Sequence, residues 1–160
     1  MEKELFIILK SEINAQLGEI EKIYKKLQER ESSNDRFSLE AVAYQLHNLY
    51  CAYEDLFKIV ARTFENNITD PSQFHIELLK RMAISIEGVR PNMISEKTFK
   101  LLNNLRGFRH FFRHAYSYEL DDRKIKIVLE DAYKVKDLFK NDLEKFLSML
   151  NDTSNEKLCE

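Results

Sequence analysis

The clearest structural pattern in the chain is SLEAVAYQLHNLYCAYEDLFKIVARTFEN, at residues 38–66. Apolar side chains recur there every three or four positions, which is the spacing that places them on one face of an α-helix. A helix of this length is about 40 Å long at 1.5 Å per residue, so we expect it to span the whole molecule. The apolar positions are Leu39, Val42, Leu46, Leu49, Tyr53, Leu56, Val60 and Phe64.

The same spacing predicts helices on both sides of this segment. One covers about residues 4–30, and another begins after a capping Ser95 and ends near residue 116. A last helix begins at Asp121 and Asp122, whose charges suit a helix N-terminus. Residues 124–128 also show the alternation of a short strand, but we predict that they are helical.

A short helix and two breaks complete the pattern. Asp70-Pro71-Ser72-Gln73 has a capping Asp and a Pro at the first helical position, which predicts a helix start. Breaks are expected at residues 31–37 and 84–93. The predicted fold is therefore all-α, an antiparallel four- to five-helix up-and-down bundle. Residues 1–150 would form this single domain, and residues 151–160 a flexible C-terminal tail.

Composition excludes several other classes of protein. The chain has 160 residues, of which 44% are hydrophobic and 32% charged, enough for one domain with one core. Eleven Phe and seven Tyr argue against disorder, and three Gly with two Pro argue against a turn-rich β-fold. No stretch has the length and apolarity of a membrane span, and no signal peptide or disulfide framework is visible, so we expect a cytoplasmic protein.

A local positive site stands out in a chain whose net charge is −2. Residues 105–120 read LRGFRHFFRHAYSYEL, and residues 97–118 contain five basic side chains and no acid. On a helical wheel, the arginines and histidines of this segment share one face, opposite aromatic side chains that we expect to anchor the helix. The polar face contains Arg106, Arg109, His110, Arg113 and His114, and the apolar face Phe108, Phe111 and Phe112. Gly107, beside His114, predicts close approach of another group.

Arginine and histidine together suit a particular chemistry. An arginine fork binds phosphate bidentately, and a histidine transfers protons near neutral pH. Without metal-ligand spacing, the two favour metal-free cleavage of RNA, in which histidine acts on the ribose 2′-OH or the leaving oxygen. From composition and spacing alone, a solvated helix face paired with neighbouring carboxylates is the more common explanation.

The segment RHFFRHAY, at residues 109–116, resembles the Arg-x4-His-x-Tyr signature of the HEPN superfamily. It is most similar to the HepT toxins that are paired with MNT-type nucleotidyltransferase antitoxins. His110 occupies the position after the arginine where that family usually has Asn, Asp or His. The similarity extends to residues 46–61, 74–82 and 90–110, so that together with the motif it is spread over residues 46–116.

The resemblance implies a HEPN-like helical bundle that acts as a homodimeric, metal-independent endoribonuclease toxin on tRNA or mRNA. Arg109 and His114 match its catalytic pair. Tyr116 matches the tyrosine that the partner nucleotidyltransferase adenylylates in some members, which neutralises the toxin. His110, Arg106 and Arg113 would support catalysis or bind RNA. Neither a metal nor a cofactor is expected.

Two other functions remain open at this stage. One is a non-catalytic HEPN module that binds RNA, a nucleotide or a nucleotidyltransferase partner. The other is a dimeric adaptor bundle whose polar face is a protein interface. The intact pair of Arg109 and His114 favours the nuclease, because a degenerate binding module is expected to lack one of them.

The sequence also predicts roles for several residues outside the motif. His47 and His75 are expected to be hydrogen-bonded structural histidines, with lining of the site as the alternative. Glu54 or Asp55 could pair with Arg109 or Arg106, although a solvated helix face is the commoner arrangement. Cys51 is expected to be a small buried hydrophobic residue. Tyr118 could stack on a base, with core packing the preferred role.

Overall fold

The chain folds into five helices. The computed structural model describes residues 1–32, 35–64, 74–115 and 119–156. Apart from an isolated bridge between Ile86 and Arg90, the described residues contain no β-structure, which confirms the predicted all-α bundle. The helices are α1 (Lys3–Glu31), α2 (Arg36–Phe64), α3 (Phe74–Met82), α4 (Glu96–His114) and α5 (Asp122–Glu156).

Helix α2 is the centre of the bundle, because it packs against each of the other four helices. Six of the eight apolar positions predicted for its stripe are buried, and the outer two, Leu39 and Phe64, are half-buried. Burial of this face contributes about 1.5–3 kcal/mol per large apolar side chain. Among the described residues, no helix has the length and apolarity needed to cross a membrane.

A buried hydroxyl pair joins three helices. The Tyr24 hydroxyl donates to the carbonyl oxygen of Ala132 at 2.8 Å and lies 3.1 Å from the hydroxyl of Tyr53. Burial raises the pKa of both phenols, so both remain protonated. The pair therefore connects α1, α2 and α5 without introducing a charge into the core.

Helix α4, which contains the motif, is fixed at its N-terminus. Ser95 is its N-cap, as predicted, and the Ser95 hydroxyl accepts from the Thr98 amide. The carboxylate of Asp142 on α5 accepts from the Ser95 amide at 2.8 Å and from the Thr98 hydroxyl. These bonds satisfy donors that a helix start otherwise leaves unpaired, and they hold α4 against α5.

Helix α5 begins as predicted and extends further than predicted. Residues 124–128 are helical, as predicted, and Asp121 accepts from the Arg123 amide at the start of α5. The predicted helix start at residues 70–73 lies outside the described part of the chain. Helix α5 extends to Glu156, which overlaps the tail expected over residues 151–160, and residues 157–160 are not described.

The loop between α3 and α4 is held by a buried arginine. Arg90 is 3% exposed, and its guanidinium donates to the carbonyl oxygens of Arg81, Ile84 and Pro91. Gly88 has a φ of 73°, a backbone conformation that glycine adopts without strain. The loop thereby sets the path of the chain from the end of α3 to the start of α4.

Candidate functional site

The polar face of the motif helix α4 is only partly exposed. Helix α4 packs against both α2 and α5, and Leu102, Leu105 and Phe108 are buried between them. Arg106 and Arg109 are half-buried, whereas the other polar residues of the predicted face are exposed, namely His110, Arg113 and His114. The polar face is therefore partly a contact surface within the bundle and partly open to solvent.

One aromatic residue of the motif does not anchor the helix. Phe108 is buried and Phe112 is half-buried against the core, as expected. Phe111 is 40% exposed, so the prediction that it lies in the core is wrong. Its position on α4 lies toward a groove beside α5, and that groove leaves part of the ring uncovered.

Arg109 is positioned by a cysteine from α2. Its Nε donates to the Sγ atom of Cys51 at 3.2 Å. Cys51 is half-buried and accepts a hydrogen bond from this cation, so the prediction of a small buried hydrophobic residue is wrong. The contact uses only Nε, and the guanidinium has two further nitrogens that suit bidentate binding of a phosphate.

His47 lies beside the same arginine. Burial lowers the pKa of His47, and the positive charges of Arg109 and Arg113 lower it further. Its ring packs on Phe112 with 5.4 Å between centroids, and its Nε2 is 3.9 Å from the Cys51 sulfur. The buried Nδ1 has no hydrogen-bond partner among the described residues. His47 is therefore a neutral imidazole within a cationic cluster at neutral pH.

Tyr50 adds a second buried polar atom to this region. It is fully buried, and its hydroxyl is also without a hydrogen-bond partner in the described part of the chain. Burial raises the pKa of the Tyr50 phenol, and the nearby Arg106 and Arg109 partly oppose that rise. With Cys51 and Glu54, these residues form one polar line along α2, which we call the α2 polar stripe (His47, Tyr50, Cys51 and Glu54).

At the C-terminal end of the α2 polar stripe, Glu54 belongs to a second polar cluster that does not include Arg109. Glu54 is 3% exposed and accepts a hydrogen bond from Nδ1 of His75 on α3 at 2.5 Å. Its other oxygen is 3.1 Å from the Lys58 ammonium, and Asp55 pairs with the same lysine at 2.9 Å. The alternative in which Glu54 or Asp55 pairs with Arg109 or Arg106 is therefore wrong. The preferred solvated helix face is correct for Asp55, whose side chain is 59% exposed, and wrong for the buried Glu54. Glu54 lies about two helical turns from His47, where α3 is its nearer neighbour.

The two histidines of the motif lie together on the exposed side of α4. The rings of His110 and His114 have centroids 5.0 Å apart and are inclined at 58°. Their spacing of four residues brings them to the same side of the helix. His114 is the last residue of α4, so its imidazole is accessible to a substrate.

Arg109 and His114 lie at opposite edges of the polar face of α4, so within one chain they point in different directions. Five residues separate them, which at 100° per residue places them about 140° apart around α4. Arg109 contacts α2, whereas His114 lies in solvent. Tyr116, the predicted modification site, and Tyr118 lie outside the described residues. Among the described residues, no group of three or more His, Cys, Asp or Glu side chains is arranged to hold a metal ion.

The sequence predicts structural roles for Cys51 and His47 and assigns none to Tyr50. His47 departs from the expected hydrogen-bonded structural histidine, because its Nδ1 has no partner among the described residues. The available signal was that Tyr50 and Cys51 follow His47 by three and four positions, which puts polar groups on a helix face that also packs inward. That signal does not identify the helix that this face meets.

A family model described as HepT-like protein matches residues 41–150. The match covers well over half of the chain and includes nearly all of α2, the whole of α3 and α4, and most of α5. No curated protein and no solved structure shows significant similarity to the chain.

Proposed function

Because the chain belongs to the HepT-like family of the HEPN superfamily, we propose that it is a metal-independent endoribonuclease toxin. The observation that carries the proposal is the arrangement on α4. A guanidinium is fixed by Cys51 at 3.2 Å, and an exposed imidazole follows five residues later. Arg109 and His114 are the proposed catalytic residues.

The proposed reaction is an internal transfer at one phosphodiester of RNA. The ribose 2′-oxygen loses its proton to a general base and attacks the adjacent phosphorus. The bond from phosphorus to the 5′-oxygen breaks, and that oxygen receives a proton from a general acid. The products are a 2′,3′-cyclic phosphate and a free 5′-hydroxyl. DNA lacks the 2′-oxygen and is not cleaved.

The roles of the side chains follow from their chemistry. Arg109 stabilises the additional negative charge on the phosphoryl oxygens in the transition state through its fork of N–H groups. His114 performs one of the two proton transfers, because an imidazole can both accept and donate near neutral pH. His110 orients His114, and Arg106 and Arg113 bind flanking phosphates.

A homodimer accounts for the divergence of Arg109 and His114. Two proton transfers need two groups, and a two-fold axis beside α4 would supply both motifs to one cleft. The arginine of each copy could then face the histidine of the other. This assembly is a proposal that the HEPN-type family supports.

Regulation by a partner forms part of the same proposal. An MNT-type nucleotidyltransferase antitoxin would transfer AMP to Tyr116, two residues after His114. The added phosphate would place negative charge beside the motif arginines, and the nucleoside would obstruct the cleft. The toxin and its antitoxin would act in the cytoplasm.

The direct test is RNA cleavage in EDTA by the unmodified protein. Total tRNA and an mRNA are incubated with the wild type, with His114→Ala and with the control His75→Gln. We expect loss of His114 to lower the rate by at least about 100-fold, because general acid–base catalysis contributes at least that much. His75→Gln should retain cleavage wherever it remains folded.

If the wild type is inactive, a second variant shows whether adenylylation of Tyr116 is the cause. Tyr116→Phe cannot accept AMP, and mass spectrometry detects AMP on the wild type. Cleavage by Tyr116→Phe that requires His114 supports the proposal even where the wild type is adenylylated. If Tyr116→Phe binds RNA without cutting it, the chain is a non-catalytic RNA-binding module, and the nuclease proposal is wrong.

A further inference from the structure

A groove between α4 and α5 has no role in the chemistry described above. Its volume is about 570 Å³, and it adjoins the exposed side of the motif helix. Two large apolar side chains in it remain accessible, Phe111 at 40% and Ile127 at 60%. The close approach predicted at Gly107 is not made by any described residue. Apart from its chain neighbours and the nearby α4 backbone, no described atom lies within 4 Å of the position that a Cβ would take, so this part of the groove is open.

Two polar groups in the groove are held in place by neighbouring amides. Asp131 is 8% exposed, and its Oδ2 accepts from the Asn104 side-chain amide at 3.0 Å. The Nε of Arg106 donates to the side-chain oxygen of Asn103 at 2.9 Å. A carboxylate acceptor and a guanidinium are therefore preorganised in a space that also contains an exposed aromatic ring.

The charges of the groove restrict what it can bind. Arg106 and Lys124 contribute two cations, and Asp121 and Asp131 contribute two carboxylates. A groove with balanced charges does not favour a run of phosphates, which would be repelled by the carboxylates. It suits a flat, neutral group that stacks on an aromatic ring and donates a hydrogen bond to a carboxylate.

We propose that this groove binds one unstacked nucleobase of the RNA, next to the phosphate that is cleaved. The base stacks on Phe111, its exocyclic amino group donates to Asp131, and its phosphate lies at Arg106. The inference rests on the proposed ribonuclease function, because it names part of the substrate recognition of that site. Adenine, cytosine and guanine have the required amino group, whereas uracil presents a carbonyl oxygen instead.

The position of the groove relative to His114 supports this assignment. Gly107, Phe111 and His114 are spaced at four and three residues, so they lie on the same side of α4. A base bound between Gly107 and Phe111 would place one of its two flanking phosphates at Arg106 and the other toward the end of the helix that carries His114. Single-stranded RNA is recognised in this manner by stacking and by hydrogen bonds to base edges.

Binding, measured apart from cleavage, tests the proposal. Fluorescein-labelled oligocytidylate and oligouridylate are titrated with the His114→Ala variant in EDTA, and fluorescence anisotropy gives the dissociation constants. We expect oligocytidylate to bind about fivefold more tightly than oligouridylate. Adding Phe111→Ala should weaken binding about tenfold. The matched control is Phe37→Ala, which removes an even more exposed phenylalanine far along the chain.

Two further variants separate base recognition from a folding defect. Asp131→Asn, which is nearly isosteric, should abolish the preference for cytosine over uracil. Gly107→Leu should block the groove while improving the helix propensity of α4. Its control is Gly18→Leu on α1, where a Cβ also meets no described atom within 4 Å.

The possible outcomes distinguish failure of the groove proposal from failure of the ribonuclease proposal. Equal affinity for the two oligonucleotides, or no effect of Phe111→Ala, overturns the groove assignment even if the wild type cleaves RNA. A Phe111→Ala variant that binds RNA normally but changes from dimer to monomer would show that a second copy covers the groove. A base preference without any cleavage retains the groove and overturns only the ribonuclease proposal.

Discussion

His47 on α2 and His75 on α3 are both half-buried histidines, yet their surroundings are opposite. His75 donates to the buried carboxylate of Glu54, which also pairs with Lys58, so the charges in this cluster are matched. His47 lies near two cations, and its Nδ1 is unpaired among the described residues. A polar cluster that is internally paired supports the fold, whereas one with buried unpaired groups is a candidate for binding. We therefore interpret the Glu54 end of the α2 polar stripe as structural and the His47 end as functional.

Among the variants that test this comparison, we expect the largest effect from Arg109→Lys, which changes the α4 side chain that contacts the functional end through Cys51. Lysine keeps the positive charge but loses both the Nε contact with Cys51 and the planar fork. We expect kcat/KM for RNA to fall about 100-fold, as for the loss of one oxyanion donor, with little change in Tm. The control is Arg62→Lys, at an exposed arginine near the C-terminus of α2. Equal activity of the two variants would contradict the role of Arg109.

Glu54→Gln tests the structural end. The substitution removes charge-assisted hydrogen bonds at a buried position, so the free energy of unfolding should fall by about 2 kcal/mol. Urea denaturation measures this change, and RNA cleavage by the folded variant should be unaltered. Asp55→Asn is the matched control, because Asp55 pairs with the same lysine but its side chain is 59% exposed. An exposed pair contributes less than about 1 kcal/mol. A loss of cleavage without a loss of stability would reverse the interpretation of this cluster.

Cys51→Ala tests how strongly the thiol group of Cys51 positions the guanidinium of Arg109. Without the sulfur acceptor the guanidinium samples more orientations, and we expect kcat/KM to fall about fivefold, mainly through kcat. Cys51→Ser keeps an acceptor and should recover most of the activity. If the serine variant is as impaired as the alanine variant, packing of the sulfur rather than its contact with Nε is the relevant property.

The smallest effect concerns pH and the neutral state of His47. Its pKa is lower in the folded protein, so the unfolded chain binds the proton more readily. The free energy of unfolding should therefore decrease as pH falls below about 6.5, and the decrease should end once pH has passed the folded-state pKa. In His47→Gln this contribution is absent, and the dependence of stability on pH between about 7.5 and 5.5 should be shallower. An unchanged pH dependence would show that neither burial nor the two arginines lower the pKa of His47.

The sequence predicts the helices well because their determinants are local. The apolar stripe of α2, the Ser95 cap and the helical state of residues 124–128 depend on neighbours within one or two turns. The contact between Arg109 and Cys51 joins residues 58 positions apart, and no local pattern specifies it. Likewise, the partner of Glu54 depends on the path of α3.

The exposure of Phe111 has a similar origin. A helical wheel separates polar from apolar sides, but it does not say how much of the apolar side the neighbouring helix covers. Here α5 leaves a groove beside α4, and a ring that the pattern assigns to the core lies at its edge. The family signature, by contrast, identified the residues of the candidate site without reference to packing.

The buried side chains of α4 are Thr98, Leu102, Leu105 and Phe108, and the motif begins at the next residue. Buried side chains thus hold the helix from its first turn to Phe108, and no side chain from Arg109 to His114 is fully buried. Amide protons should therefore exchange slowly near Leu102 and much faster near Arg113, since local opening at the helix end breaks few contacts. Arg109, His110, Arg113 and His114 therefore lie on the part of α4 where local opening would break the fewest buried contacts.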